Sequence, residues 1–508
     1  MHDETSLGMT LVELRRAGVM AVISGDEHRR VTGVQHDSRR VERGDLFVAV
    51  PGEKHDGSTF VDDALGRGAV AVMAETKLPH DVPQMTVDDA RLGLGLAAEL
   101  VCGSPSARLR TIGITGTNGK TTTAYLIKQA IESVGEKAAL IGTTGLAVGT
   151  IESPSLHTTP EGDDISRFAR RSLEEGATHL VIEVSSHGLA LRRVDALDFD
   201  VAAFTNLSRD HLDFHGTFEA YAEAKARLFT ELRPRHSVIH VDDPFGAELA
   251  NRIEGHVLRC SRQQSSDAEI RAVRWSADRQ GVRALIDTPG GSIEVDSPML
   301  GEHNLENLLV ALGCAYALGL PLDDVKRAWR QAAGSPGRLE RIPHPQDVAV
   351  LVDYAHTPDA LERALSTMRA ITPKRLLAVF GAGGDRDRGK RPQMGRIGVE
   401  HADVCVLTSD NPRTEDPAKI AQEVAAGARS VGAPEIELDE LSKASRGFCV
   451  VLDRRTAIGS AIGAATSGDT VLVAGKGHED YQIFGTERIH FDDREEARAA
   501  LASLKGPA

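Results

Sequence analysis

No run of apolar residues in this 508-residue sequence reaches the roughly 18 needed to cross a bilayer, so a helical membrane protein is not expected. The first residues, Met1-His-Asp-Glu-Thr5, are acidic with no apolar stretch behind them, so no secretion signal is expected either. Positive charge is in deficit. Lysine and arginine total 59 against 74 aspartates and glutamates, a net charge of −15, whereas a nucleic-acid binder needs a basic face. Any anionic ligand must therefore be held by local devices. Cysteine is sparse: Cys102, Cys260, Cys314, Cys405 and Cys449 are scattered, odd in number and form no C-x-x-C pair, which reads as free thiols in a reducing compartment. Internal repeats and low-complexity tails are missing too. What is present is ordinary for a globular chain, 41% hydrophobic and 26% charged, and a cytoplasmic monomer is expected. The length exceeds one core, and three domains is the natural division.

The stretch Thr111-Ile-Gly-Ile-Thr-Gly-Thr-Asn-Gly-Lys-Thr-Thr-Thr123 organises the rest. An apolar run before it reads as a strand, and Ala124–Ile131 after it has helical spacing. A glycine-rich turn between strand and helix gathers backbone N–H groups at one spot, and the helix N-terminus adds positive potential there, which favours phosphate. Lys120 is placed to reach the outer phosphates and the Thr121 hydroxyl to hold Mg²⁺. The spacing departs from the usual G-x-x-x-x-G-K-[ST] loop, because Ile114 stands at its first glycine.

The chain before this loop reads as a small α/β unit, with strands at Asp45–Val50 and Ala69–Met73, a helix over Ala90–Val101 and a linker at Cys102–Ser106. Asp37-Ser-Arg39 and the turn over Gly52–Gly57 lie beside those strands. After the loop, buried strands at Thr178–Val184 and Asp200–Thr205 each end in a polar loop, and loops at the carboxyl ends of strands line the crevice of open α/β sheets. Glu183 is thereby expected near the phosphate loop. On the helix Thr217–Phe229, Lys225 shares a face with Phe218, Tyr221, Ala222, Leu228 and Phe229, so it either snorkels to water or turns inward to a site. His303-Asn304 and Asn307 precede a helix predicted over Leu308–Leu318, where the asparagines either read a base edge or cap the helix. From about residue 336 onward, strands at Val348–Asp353, Arg375–Phe380, Ala402–Thr408 and Thr470–Ala474 alternate with polar loops, which reads as a doubly wound sheet. Asp416 and Pro417 mark a helix start.

Taken together, Gly116-Thr-Asn-Gly-Lys-Thr121, Glu183-Val-Ser-Ser-His187, Asn206-Leu-Ser-Arg-Asp-His211, Lys225, His303-Asn304, Asn307 and Gly337-Arg-Leu-Glu340 resemble the Mur ligases, over almost the whole chain. Asp37-Ser-Arg39, Thr158-Thr-Pro160, Asp353-Tyr-Ala-His-Thr-Pro358, Gly383-Gly-Asp-Arg-Asp387, Asp410-Asn-Pro-Arg413 and Gly475-Lys-Gly-His-Glu-Asp480 are similar to the branch of that family adding the third peptide residue. The resemblance implies an α/β protein of three domains: a UDP-binding domain over 1–105, a P-loop-type ATPase with a mainly parallel sheet over 106–336, and a Rossmann-like domain over 337–508. It implies an ATP-dependent, amide-forming ligase of peptidoglycan precursor synthesis. ATP would phosphorylate the free carboxylate of UDP-MurNAc-L-Ala-D-Glu, and the amine of 2,6-diaminopimelate, taken as the meso isomer, would attack the acyl phosphate. Alternatives of like chemistry are a ligase for L-lysine or LL-diaminopimelate and a folylpolyglutamate-type ligase. A nucleotide-binding descendant without catalysis would have lost Lys120, Glu183 or Lys225, and all three are present.

The same resemblance implies site residues. ATP would meet Gly116, Thr117, Asn118, Gly119, Lys120, Thr121 and Thr122, with Asn304, Arg338 and Asp353. Lys120, Glu183, His211 and Lys225 would be catalytic, with Mg²⁺ held by Thr121, Glu183, His211 and a carbamylated Lys225. The nucleotide-sugar peptide would use Ser38, Glu53, Lys54, His55, Thr158, Thr159, Ser185 and Arg193. Diaminopimelate would use Arg386, Asp410, Asn411, Pro412, Arg413, Gly475 and Glu479, with the Arg413 fork suited to its far carboxylate. Against the family pattern, His157 replaces asparagine, Leu191 glutamine and Ala382 a frequent cysteine.

Overall fold

The structure, a computed structural model, describes residues 8–52, 56–263, 267–332 and 334–504. The chain divides into two compact units. The first holds Met1–Arg274, Leu285–Glu294 and Glu306–Trp329; the second holds Trp275–Ala284, Val295–Leu305 and Arg330–Ala508.

The first unit contains two sheets. The N-terminal one has five strands, in spatial order Ala21–Ser24, Gln84–Val87, Ala71–Ala74, Asp45–Val48 and Gly33–Gln35. Only the edge strand Ala21–Ser24 is antiparallel. The helix Ala90–Val101, capped by Asp89 accepting from the Arg91 and Leu92 N–H groups, packs its apolar face into the core with Leu46, Val48 and Met73. The linker after that helix is pinned. The Glu99 carboxylate accepts from the N–H and Oγ of Ser106 at 2.7 and 2.6 Å and from Ser166 Oγ at 3.0 Å. The expected boundary at 105/106 thus separates two sheets that share one compact unit.

The second sheet is centred on Arg110–Thr115, flanked in parallel by His179–Glu183 and Val201–Phe204. Ala138–Gly142 lies beyond the former, and His236–His240 then His256–Ser261 beyond the latter, all parallel. Apart from the partly exposed His256–Ser261, these strands are buried over most of their length, as parallel strands covered on both faces are. In chain order the first strand lies between the third and fourth. The sequence therefore crosses to opposite sides of Arg110–Thr115, and the crevice at such a switch point lies off the carboxyl ends. Residues 116–121, 183–187 and 205–211 all leave from that edge.

The second unit also holds a mainly parallel sheet. Its sheet runs Glu340–Arg341, Ala349–Asp353, Thr470–Ala474, Leu376–Phe380, Val404–Leu407 and Gly447–Val450, parallel except for the first strand. Apolar clusters fill both faces, one around Met368, Phe380 and Met394 and the other around Val379, Val406 and Ile458. Helix N-caps fall where polar residues precede apolar periodicity: Thr357 before Pro358–Ile371, Asp416 before Pro417–Ser430 and Asp453 before Arg454–Ala464.

One expectation is corrected. The helix predicted over Leu308–Leu318 runs over Glu302–Ala317, so Asn304 and Asn307 lie within its first two turns and cap nothing. Gly301, at φ +88°, makes the turn that starts the helix, and Leu305 already belongs to its apolar stripe with Leu308, Leu309 and Leu312. Among the described residues no helix is long and apolar enough to cross a membrane.

Candidate active site

The phosphate loop sits at the switch point of the first unit. Its helix, Lys120–Glu132, starts at Gly119 in the left-handed region (φ +86°), and no side chain caps it, which leaves the amide-rich end of the helix open to an anion. Two glycines take a positive φ that other residues rarely adopt, +149° at Gly116 and +86° at Gly119. A Cβ at Gly116 would lie 2.0 Å from Thr205 Oγ1, and one at Gly119 2.3 Å from Asn307 Oδ1. The strand end across the switch point braces the loop. Asn206 accepts from Thr117 N–H through its carbonyl at 2.8 Å and from Asn118 N–H through Oδ1 at 3.0 Å. Thr205 Oγ1 donates to the Asn118 carbonyl at 2.6 Å. Tyr221 and Thr117 join their hydroxyls at 2.9 Å, and burial pushes the Tyr221 phenol up to about 12. Thr122 occupies the first helical turn, partly exposed.

Lys120 folds back on this loop, donating to the carbonyls of Gly116 and Thr117 at 2.8 and 2.9 Å. Thr121 Oγ1 donates to Glu183 Oε2 at 2.9 Å. Glu183 is fully buried and also accepts the Thr143 N–H at 3.0 Å and the Thr143 hydroxyl at 3.2 Å. Lys225 turns inward rather than snorkelling: it is 1% exposed and its Nζ donates to the Gly116 carbonyl at 2.8 Å. Burial first, and Lys120 second, hold it well below the usual lysine range. His211, half-exposed with φ +51°, stands edge-on to His187 at 4.8 Å between ring centres. His187 also contacts Phe214 and His215, and burial lowers both His187 and His215.

The expected nucleotide-sugar residues adjoin this centre in the same unit. Thr158 Oγ1 lies 3.2 Å from Thr143 Oγ1. Thr159 Oγ1 bonds the Glu183 carbonyl at 2.9 Å and Ser185 Oγ at 3.0 Å, while Ser185 caps the helix Ser186–Ala190. Arg193, nearly buried, donates to the Thr159 carbonyl at 2.9 Å and pairs with Glu161 at 2.8 Å. Ser38 is buried in a turn capped by Asp37, whose carboxyl the Arg39 guanidinium holds at about 2. Glu53, Lys54 and His55 lie outside the described residues.

In the second unit the loops after four parallel strands converge. Asp353 is buried and accepts the N–H groups of Leu339 and Ala355 at 2.7 and 2.8 Å. Arg338 lies over the Tyr354 ring, 5.0 Å from its centre, and Asn304 donates to the Leu300 carbonyl at 2.7 Å. Asp410, Asn411 and Pro412 are buried, and a Cβ at Gly384 would lie 1.9 Å from the Pro412 carbonyl oxygen. Arg413 has φ +52° and donates to the Gly384 carbonyl at 2.8 Å. Asn411 Nδ2 donates to Glu479 Oε2 at 3.1 Å. Burial, then Asp410, raises the Glu479 carboxyl, with Lys476 and Asn411 opposing. Gly475 donates its N–H to the Asp353 carbonyl at 3.0 Å, and Arg386 is exposed on the 381–389 loop.

Sequence reasoning missed Thr143, Asn206 as a brace, Tyr221 and Lys476. The Gly142-Thr143-Thr144 turn after an apolar strand was the available signal for the first.

The Mur ligase middle domain matches residues 114–315, the Mur ligase glutamate ligase domain residues 337–477, and the catalytic domain of the Mur ligase family residues 30–90. A UDP-N-acetylmuramoyl-L-alanyl-D-glutamate–2,6-diaminopimelate ligase of Geobacter metallireducens is 44% identical, over 98% of this chain and 99% of that protein. The protein of the same name from Geobacillus kaustophilus is 41% identical, over 93% of this chain and 95% of its own. A solved structure bearing that name has a TM-score of 0.73 at 36% identity, covering 98% of this chain and 99% of its own. The MurF ligase of Thermotoga maritima, solved with ADP, shares the fold at a TM-score of 0.59 and 18% identity, covering 87% of this chain and 94% of its own.

Proposed function

The chain belongs to the Mur ligase family, and on that premise we propose that it is the ATP-dependent ligase that joins 2,6-diaminopimelate to the D-Glu carboxylate of UDP-MurNAc-L-Ala-D-Glu in peptidoglycan precursor synthesis. The observation that carries the chemistry is the uncapped helix N-terminus at Gly119, surrounded by Lys120, Thr121, Glu183 and an inward Lys225. The reaction brings a carboxylate to an already anionic γ-phosphate, so charge neutralisation and positioning dominate. In this reading the loop amides and Lys120 hold the β- and γ-phosphates. The substrate carboxylate attacks phosphorus, ADP leaves, and the amine of diaminopimelate then displaces phosphate from the acyl carbon with loss of a proton.

The donor set at Thr121 and Glu183 is one of hard oxygens 2.9 Å apart, which suits Mg²⁺. Thr121, Glu183 and His211 would hold it, and when bound it would offset the repulsion between carboxylate and phosphate. A neutral Lys225 amine can add to carbon dioxide and release a proton, giving a carbamate that supplies an anionic oxygen at the same place. Thr158, Thr159, Ser185, Arg193 and Ser38 are assigned to the nucleotide-sugar peptide. The Asp410–Arg413 loop, Arg386, Gly475 and Glu479 are assigned to diaminopimelate, with Arg413 toward its far carboxylate and Glu479 toward an ammonium. Three domains divided near residues 105 and 336, a cytoplasmic location and a monomeric state complete the reading.

The test is phosphate release with UDP-MurNAc-L-Ala-D-Glu, ATP and Mg²⁺, comparing meso-diaminopimelate, LL-diaminopimelate and L-lysine. Release with the meso isomer is expected. Release with lysine alone would overturn the assignment of Arg413.

A further inference from the structure

The segment Gly475-Lys-Gly-His-Glu479 supplies Gly475 and Glu479 to the reading above and leaves Lys476 without a part in it. Lys476 is fully buried. Its ammonium donates to the side-chain carbonyl of Asn411 at 3.1 Å and to the Tyr481 carbonyl at 2.6 Å. It lies 3.3 Å from Asp410 Oδ1 and 3.8 Å from Glu479 Oε2. An ammonium offers donors only, so its bond to Asn411 Oδ1 decides which way that amide faces. The oxygen turns to Lys476, and the NH₂ turns to Glu479. The same oxygen accepts the Ile483 N–H at 3.1 Å, which the opposite amide orientation would leave facing a donor.

Charge gives a second reason for a lysine here. Buried Asp410 and half-buried Glu479 place two carboxylates in one neighbourhood, and unneutralised they would repel. Lys476 sets a cation between them, with Lys390, Arg413 and Arg454 also facing these carboxylates. Its surroundings do not yield. Arg454, wholly buried and paired with Asp493 at 2.6 Å, donates to the carbonyls of Ser409 and Ala474, clipping together the two strand ends that carry Asp410 and Gly475.

We propose that Lys476 is a positioning residue for the amino-acid substrate: it sets the Asn411 amide and balances the Asp410–Glu479 carboxylates, so that the pocket receives an ammonium-bearing ligand in one orientation. This rests on the assignment of the Asp410–Arg413 loop to the amino acid.

Initial-rate kinetics of the full-length protein would compare wild type, Lys476→Met, Lys476→Arg, Asn411→Ala and the Lys476→Met/Asn411→Ala double variant. Lys476→Met is expected to raise the KM for diaminopimelate about tenfold or more and to leave the KM for ATP within about twofold. Lys476→Arg should recover part of that loss. Because Lys476 acts through Asn411, the double variant should be little worse than the worse single one. An unchanged diaminopimelate KM, a parallel rise in the ATP KM, or effects that multiply in the double variant would overturn the proposal. Should Lys476→Met fail to fold, Lys476→Gln carries the same cycle. A wild type that uses only another amino acid would reject the substrate assignment, and the same variants assayed with that amino acid would still decide the role of Lys476.

Discussion

Lys120 and Lys225 converge on a single oxygen, each placing its Nζ 2.8 Å from the carbonyl of Gly116. Burial, and after it the charge of Lys120, holds the Lys225 amine well below the usual lysine range. The two amines thus meet the same loop from unlike surroundings, Lys225 wholly buried and Lys120 partly exposed.

Replacing Lys225 by alanine should abolish turnover, and a short carboxylate such as acetate or formate should restore part of it by occupying the vacated space. Stripping bicarbonate from the wild-type assay should lower activity in the same direction. Full activity of Lys225→Ala without any additive would show that the buried amine plays no part.

Glu183→Gln preserves shape and keeps an acceptor for the Thr143 N–H, but removes the charge. Folding should survive, with a melting temperature within about 4 °C of wild type. The kcat should fall by about 10²–10³, because Glu183 is assigned to hold the cation that would offset the repulsion between carboxylate and phosphate. Steady-state kinetics together with a thermal melt separates the two effects.

Arg413→Ala should raise the KM for diaminopimelate by about 10–100-fold, as expected when one partner of a charged contact is truncated, and should leave ATP affinity unchanged. The bond from Arg413 to the Gly384 carbonyl is lost as well, so increased hydrogen exchange in residues 381–389 should accompany the change. Equal use of diaminopimelate by both proteins would remove Arg413 from the site.

In the first unit, His36 Nδ1 lies 2.9 Å from the fully buried Asp163 carboxylate. Burial pushes His36 down, but the Asp163 hydrogen bond and charge outweigh it, and the folded pKa is raised above 6.5. A raised folded value stabilises fully below the unfolded value and is lost as pH rises through the folded one. Asp163 behaves oppositely: its depressed pKa contributes above its ordinary 3.8 and is lost in acid. Wild-type thermal stability should therefore fall more steeply than that of His36→Gln as pH rises from about 6 to about 8.5. Parallel slopes would show that the pair is not coupled to folding.

Much of this was legible because the chemistry sits where buried parallel strands stop. Strand ends at Thr115, Glu183, Asp353 and Ala474 could be read from apolar runs meeting polar loops, since that pattern needs no knowledge of neighbours. Tertiary pairing was not legible. Thr143 reaches Glu183 only because Ala138–Gly142 lies beside His179–Glu183, and Asn206 braces the phosphate loop only because its strand lies on the other side. In sequence Lys476 is one residue of a polar loop after a strand, and only the folded chain brings its ammonium among Asn411, Asp410 and Glu479. The start of the Glu302–Ala317 helix was misread because asparagines resemble caps, although Gly301 was the actual signal.

The Thr143 hydroxyl has a consequence for cooperativity. It has one proton, given to Glu183, and it receives from Thr158, both at 3.2 Å. A sugar-peptide that claims the Thr158 proton, or a nucleotide and cation that claim the Glu183 oxygen, resets the same rotor. On the assignments proposed above the two ligands would be coupled, and by reciprocity any factor by which nucleotide tightens the sugar-peptide must equal the factor by which the sugar-peptide tightens nucleotide. Thr143→Val should bring both factors toward unity together, measured as the change in each ligand's Kd on saturation with the other, and factors that stay unchanged would take the hydroxyl out of the coupling.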